Sequence, residues 1–325
     1  MTEKAISRKI LNPPNAIITY TMIKRIALFL ALNFLVVVMI SVILNVLGVR
    51  PFLEKEGLNL GSLLVFCLIW GMVGALISLM LSRVMAKWMM GVRIIDPNTH
   101  DSTERHLYET VQRLAHKAHL PMPEVGIYAS REINAFATGP SKKRSLVAVS
   151  SGLIERMSDE EIQAIIGHEL THIANGDMVT MTLLQGVVNA FVMFLARILA
   201  YVFSGLGKNR EQNSSHSGTM NYILFVYLFE VVFMILGSLL IAAFSRWREF
   251  RADAGGAKLV SRGAMVRALE ALQAAQNVHD PRKEQPAIAA LKIAHPSKKG
   301  LFALFATHPP LELRIQRLLG ARPSY

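Results

Sequence analysis

Residues 158–176 read Ser-Asp-Glu-Glu-Ile-Gln-Ala-Ile-Ile-Gly-His-Glu-Leu-Thr-His-Ile-Ala-Asn-Gly, and this stretch decides how the surrounding chain is organised. Ser158 and Glu161 have the spacing of a capping box, which predicts that a helix begins at Ser158, and the closing Asn-Gly pair predicts its end. Within this helix His168 and His172 stand four positions apart. Both imidazoles therefore lie on one helical face and can bind the same metal ion.

Glu169 completes an H-E-x-x-H pattern and projects beside the coordination position that the two histidines leave open. Chance would place such a pattern in roughly one chain in a hundred, and its location on a capped helix makes chance a weaker explanation. The single cysteine, Cys67, lies inside an apolar run. Histidine and carboxylate groups must therefore supply the ligands of any metal.

The sequence places a candidate third ligand far from the helix. A catalytic zinc ion needs three protein ligands and keeps its fourth position for water. Met178 occupies the place where the extended H-E-x-x-H-x-x-G-x-x-H pattern has a histidine. Glu249 and Asp253, one helical turn apart, suit a Glu ligand and an Asp that accepts the other N–H of a ligand histidine. The alternative is an ordinary solvated charge cluster, because such clusters follow many membrane spans.

The composition indicates a bilayer protein, since 52% of the 325 residues are hydrophobic and only 18% are charged. Four apolar segments are candidates to cross a hydrocarbon core of roughly 30 Å; they are residues 26–47, 57–82, 178–207 and 222–244. The preceding residues 1–21 are expected to form a tail, and either Met1 or Met22 is the true start.

The third and fourth apolar segments each contain a charged residue, Arg197 and Glu230 respectively. If the segments form an antiparallel hairpin, the two side chains meet at one depth, where pairing lowers the cost of burying charge. The alternative is that each side chain snorkels to the membrane surface or that the hairpin packs partly on protein.

Basic residues flank the apolar segments on one side of the predicted membrane: Lys24, Arg25, Arg83, Lys87, Arg93, Arg246, Arg248 and Arg251. The positive-inside rule therefore places both termini and the segments 83–177 and 245–325 in the cytoplasm. These segments should form one polar domain on the anchor 22–82, interrupted by the hairpin 178–244. The net charge of +12 needs no nucleic-acid partner, since no nucleic-acid motif accompanies it.

The polar segments predict both helices and strands. Besides the capped helix, hydrophobic periodicity and turn residues predict helices over 104–119 and 263–277, a last helix after Pro310, and strands over 125–128, 133–138 and 146–149. We therefore expect a mainly helical α+β domain on a four-helix membrane anchor.

Together these motifs resemble the HtpX family of bacterial inner-membrane proteases, and the resemblance also draws on Ser245–Asp253 and Thr307–Arg314. It implies a gluzincin-like domain that binds one Zn²⁺ through His168, His172 and Glu249, with Glu169 as the catalytic acid and base. It also implies a role in quality control, with misfolded or damaged membrane proteins as substrates and the lipid bilayer as partner.

The chain is also similar to the eukaryotic CAAX prenyl proteases, through Asn134-Ala-Phe, His308-Pro and Arg314. This likeness implies that Asn134, His308 and Arg314 line the cleft and contact the substrate backbone or the oxyanion. The strands predicted at 133–138 and 146–149 offer an edge on which an extended substrate can add. Cleavage by the protein of its own chain, in the loop at 204–221 or near either terminus, is a further expectation.

Three alternatives remain open. A membrane zinc carrier or sensor would use the same ligands without hydrolysis, and would tolerate replacement of Glu169. A catalytically silent membrane chaperone would also tolerate replacement of His168. A prenyl-protein protease is a rival within the same enzyme class. The sequence does not determine the oligomeric state or the cleavage preference.

Overall fold

The computed structural model describes residues 59–206, 215–275 and 304–320. The chain divides into two compact units, residues 1–67 and 68–325. The predicted tail 1–21, the first predicted span 26–47 and the possible start at Met22 lie outside the described residues. The described helices are α1 (Leu60–Met90), α2 (Ser102–Lys117), α3 (Ser151–Arg156), α4 (Asp159–Asn175), α5 (Asp177–Leu206), α6 (Ser215–Leu259), α7 (Arg262–Ala274) and α8 (Leu311–Leu319).

A small mixed sheet lies beside the helices. It contains β1 (Arg93–Ile94), β2 (Glu124–Tyr128), β3 (Ala135–Ser141) and β4 (Arg144–Ser150), in the order β1-β2-β4-β3. β2 and β4 run parallel, whereas the outer pairs are antiparallel. β3 therefore lies at one edge of the sheet, where it packs against α4. The expectation that the strand at 146–149 also offers an edge is wrong, because β4 is paired with β2 on one side and with β3 on the other.

Local signals at its two ends set the limits of α4. Ser158 and Glu161 form the predicted capping box, each side chain bonding to the backbone of the other residue. At the other end Gly176 adopts a left-handed conformation with φ 66°, which glycine accepts without strain. On α4 the side chains of Ile165, Ile166 and Leu170 are fully buried in the main core.

α4 crosses α6 at very close range because α6 carries two adjacent glycines at the crossing. A Cβ atom on Gly255 would lie 2.3 Å from Thr171 Cγ2, and one on Gly256 would lie 3.0 Å from the backbone nitrogen of His168. Any larger residue would push the helices apart. The glycines therefore bring the histidines of α4 within reach of the carboxylates on α6.

Three described helices are long and apolar enough to cross a membrane: Leu60–Met90, Asp177–Ser204 and Met220–Leu259. Their most apolar windows are only 22%, 39% and 0% buried within the protein, so the remaining apolar surface suits lipid. Arg197 and Glu230 form an ion pair across α5 and α6 at 2.9 Å, in agreement with the predicted hairpin.

α6 is one uninterrupted helix of 45 residues. At 1.5 Å per residue it is about 68 Å long, roughly twice the thickness of a hydrocarbon core. Its apolar segment ends at Phe244, and Arg246, Arg248 and Glu249 follow. The C-terminal part of α6 therefore extends beyond the membrane-crossing segment and carries Glu249 and Asp253 into the polar domain.

Candidate metal centre

The three predicted ligands converge at the crossing of α4 and α6. His168 Nε2 and His172 Nε2 lie 3.2 Å apart. Glu249 places Oε2 3.6 Å from His168 Nε2 and Oε1 3.3 Å from His172 Nε2. All three residues are buried, with their possible ligand atoms within 4.8 Å of one another. The structure thus brings together ligands from distant parts of the chain, since His168 and Glu249 are 81 positions apart.

This arrangement fits zinc. Two nitrogen ligands at Zn–N distances of 2.0–2.1 Å in a tetrahedron are separated by roughly 3.3 Å, close to the observed 3.2 Å. Glu249 Oε1 is also buried, and its nearest partner is His172 Nε2 at 3.3 Å without a well-formed hydrogen bond from the described residues; this arrangement costs free energy unless a cation satisfies the oxygen. Two histidines and one glutamate form a known ligand set of catalytic zinc.

A buried carboxylate lies against the outer nitrogen of each histidine. Asp253 Oδ1 is 3.0 Å from His168 Nδ1, as the spacing of Glu249 and Asp253 predicts. Asp177 Oδ2 is 2.7 Å from His172 Nδ1. Sequence reasoning missed Asp177, although an acidic residue directly after the Asn-Gly end of α4 was a usable signal. Such carboxylates orient the imidazole and leave Nε2 for the metal.

Arg314 reaches the centre from α8, but it faces Asp253. Its Nε and Nη2 donate to the two oxygens of Asp253 at 2.8 and 2.6 Å, and its Nη1 lies 3.8 Å from Glu249 Oε2. The residue is only 1% exposed. The predicted contact between Arg314 and substrate therefore stays a prediction, whereas its contact with Asp253 is direct.

His308 also lies at the centre, with Nδ1 2.9 Å from Glu249 Oε2 and a side chain that is 10% exposed. Its position depends on a contact that the sequence does not signal. Arg246, just beyond the apolar segment of α6, donates to the backbone oxygens of Leu304 and Ala306 at 2.7 and 2.8 Å. Arg246 thus holds the segment that leads into His308.

Asn134 lies just before β3 and is 4% exposed. Its Nδ2 donates to the hydroxyl of Tyr128 at 2.7 Å, and its backbone nitrogen donates to Ser150 Oγ at 3.0 Å. Asn134 is therefore fixed in the sheet beside α4. Its role in substrate binding stays a prediction.

Glu169 is buried at 5% exposure on α4, next to the first ligand. Its carboxylate makes no hydrogen bond to any described residue, although its charge acts on Tyr128 and Arg314. A buried carboxylate with spare acceptor capacity can take a proton from a bound water molecule.

The electrostatics of the metal-free centre favour protonated histidine. Burial opposes the charge of His168, but the Asp253 and Glu249 carboxylates outweigh it and raise its pKa to about 9. Burial likewise opposes the charge of His172, whose pKa is raised by Asp177 and Glu249. Arg314 remains charged, because the Asp253 carboxylate outweighs burial and raises the pKa of the guanidinium further. The negative surroundings that hold these protons also suit a divalent cation.

Comparison with known proteins gives three consistent results. The profile described as peptidase family M48 matches residues 101–322. The chain is 48% identical over 297 residues to Protease HtpX of Thioalkalivibrio sulfidiphilus, covering 91% of this chain and 98% of that protein. It is 46% identical over 304 residues to Protease HtpX homolog of Bacillus velezensis, covering 91% and 99% respectively.

Among solved structures, Ste24p of S. mikatae superposes with a TM-score of 0.55 at 17% identity, covering 91% of this chain and 67% of that chain. At this identity the likeness concerns the fold alone. It confirms the mainly helical α+β architecture expected from the sequence.

Proposed function

The chain belongs to peptidase family M48 and is a membrane metalloprotease, and we propose that it is a zinc endopeptidase that cleaves misfolded or damaged membrane proteins. The assignment to family M48 and to the membrane metalloproteases agrees with the resemblance to the HtpX proteases. The observation that carries the proposal is the convergence of His168, His172 and Glu249, with Glu169 buried beside them.

We assign the chemistry to four side chains besides the three ligands. A zinc ion held by His168, His172 and Glu249 would polarise a carbonyl and lower the pKa of a bound water to about 7. Glu169 accepts the proton of the attacking water and then delivers it to the leaving amine.

The other three side chains act on the substrate and on the charge that develops. His308 is partly exposed beside Glu249, and in this proposal it donates to the oxyanion. Arg314 adds a fixed positive charge to the same centre through its contacts with Asp253 and Glu249. Asn134, held by Tyr128 at the start of the edge strand, binds the substrate backbone.

The edge strand suggests how substrate is held. β3 has β4 on one side and no strand of the described sheet on the other. An extended peptide can add there through main-chain hydrogen bonds, which read backbone more than side chains. The packing of β3 on α4 supports this mode of binding, and in this proposal the peptide lies beside the metal ligands. Broad sequence tolerance follows, as removal of damaged proteins requires.

The location of the centre favours substrates at the membrane. Glu249 is five positions beyond Phe244 on the same helix, which is about 8 Å along the helix axis. The centre therefore lies close to the membrane surface in this proposal. We infer from the basic flanks that the centre faces the cytoplasm, and from the likeness to the HtpX proteases that the membrane is a bacterial inner membrane.

The test is the replacement Glu169→Gln, measured in detergent-purified protein with an unfolded model substrate. We expect stoichiometric zinc to be retained while cleavage falls by several orders of magnitude, because an amide cannot accept the proton. Glu160→Gln is the matched control, since Glu160 is an exposed residue of the same helix that pairs with Arg267. Zinc-loaded parent protein that cleaves nothing would favour a zinc carrier or sensor, whereas a Glu169→Gln variant with parental activity would refute the role of Glu169 as the base.

A further inference from the structure

Asp177, which is hydrogen-bonded to His172, is not among the site residues predicted from the sequence. Asp177 Oδ2 lies 2.7 Å from His172 Nδ1, and the two residues are only 4% and 8% exposed. An ionised carboxylate only accepts hydrogen bonds, so at this distance Nδ1 carries the proton. In the neutral imidazole, which is the form that binds a metal ion, the lone pair of Nε2 is then directed toward His168 and Glu249.

A single turn produces this contact. Gly176 adopts φ 66° between the last residue of α4 and the first residue of α5. The reversal brings the side chain of Asp177 back onto the last turn of α4, where His172 lies. A residue with a Cβ atom would be strained at this φ. The Asn-Gly-Asp sequence thus ends the helix and also provides a carboxylate for one of its histidines.

We propose that Asp177 is a positioning residue of the metal centre, whose carboxylate holds His172 in the orientation and tautomer required for metal binding. This inference rests on the proposed binding of zinc by His168, His172 and Glu249. The competing explanation is that Asp177 only starts α5, since an acidic residue in a first turn interacts favourably with the helix dipole. That explanation predicts lower stability with unchanged metal affinity.

The position of Asp177 links the centre to the membrane hairpin. Asp177 is the first residue of α5, whereas Glu249 and Asp253 belong to α6. Each helix of the hairpin therefore contributes a carboxylate that acts on a histidine of α4. The Arg197–Glu230 ion pair joins the same two helices at 2.9 Å. The centre is complete only when both hairpin helices are docked on α4.

The test measures the Zn²⁺ dissociation constant of the full chain in detergent, by competition with a chromogenic chelator, for parent, Asp177→Ala and Asp177→Asn. The matched control is Thr180→Ala, which removes a hydroxyl bonded to Gly176 O at 3.1 Å in the same turn without touching His172. Melting temperature, kcat and KM are recorded for each variant at saturating zinc.

We expect Asp177→Ala to weaken Zn²⁺ binding by about 10- to 100-fold. Asp177→Asn should weaken it less, because the amide oxygen still accepts from Nδ1, and Thr180→Ala should leave it unchanged. If Asp177→Ala does not fold, Asp177→Asn decides alone. Parental zinc affinity in a variant with a lowered melting temperature would overturn the inference. A parent protein that binds no zinc would instead overturn the proposed function, and this inference with it.

Discussion

Replacement of Arg314 by methionine should destabilise the protein far more than loss of one surface charge. The Arg314 side chain is 0% exposed, and its partner Asp253 is 2% exposed. Two hydrogen bonds at 2.8 and 2.6 Å join them. Methionine fills much of the volume but leaves the Asp253 carboxylate buried beside His168 without its cation. Breaking a buried pair on one side costs about 3–5 kcal/mol.

The assay is thermal unfolding of the zinc-loaded protein in detergent, followed by tryptophan fluorescence, for Arg314→Met, Asp253→Asn and the double variant. A loss of this size should lower the melting temperature by on the order of 10 °C. The double variant should be less destabilised than the sum of the single variants by at least about 2 kcal/mol. Arg314→Lys keeps the charge but not the forked geometry, so its melting temperature should lie between those of the parent and Arg314→Met. Effects that add within about 0.5 kcal/mol would refute the coupling.

Two further predictions concern pH and the segment that carries His308. In the metal-free protein the pKa of His168 is raised from 6.5 to about 9, so its stabilising contribution is complete below pH 6.5 and is lost as pH rises through 9. We expect a loss of roughly 3 kcal/mol over that window in denaturant titrations; constant or rising stability of the metal-free protein would contradict it. Arg246→Ala removes the donor to Leu304 and Ala306, and should lower kcat/KM about tenfold with zinc content unchanged. Parental kcat/KM would show that His308 is positioned without Arg246.

The part of the centre carried by α4 is predictable because its signals are local. The capping box at Ser158, the glycine at position 176 and the four-residue spacing of the histidines lie within one helix, and the structure has each of them. The pairing of Glu249 with Asp253 is likewise a one-turn pattern. The structure places Asp253 against His168 at 3.0 Å as that pattern predicts.

Contacts between segments far apart in the chain are harder to predict from local sequence patterns. The three predicted strands are present, but the parallel pairing of β2 with β4 depends on packing over α4. Strand β3 begins at Ala135 rather than residue 133, since Asn134 is engaged by Tyr128 and Ser150. Arg314 and Asp253 are 61 positions apart, so local spacing does not predict that they pair.

Helix α6 is also longer than its apolar segment indicates. The apolar segment predicts a span that ends near Phe244, whereas the helix continues to Leu259. The continuation has two roles. Glu249 and Asp253 contact the histidines of the centre, and Gly255 and Gly256 allow α4 to approach closely. A membrane helix and a metal-binding helix are therefore the same element.

The central claim is that one zinc ion is bound by His168, His172 and Glu249, and X-ray absorption at the zinc edge tests it most directly. Detergent-purified Glu169→Gln protein, compared with His172→Ala, suits the measurement because loss of the proposed base would prevent the chain from cleaving itself during purification. We predict one zinc per chain with two imidazole nitrogens at 2.0–2.1 Å and oxygen as the remaining ligands. Loss of one imidazole contribution, or of the metal, should follow in His172→Ala. Sulfur in the coordination shell, or an unchanged spectrum in His172→Ala, would contradict the account.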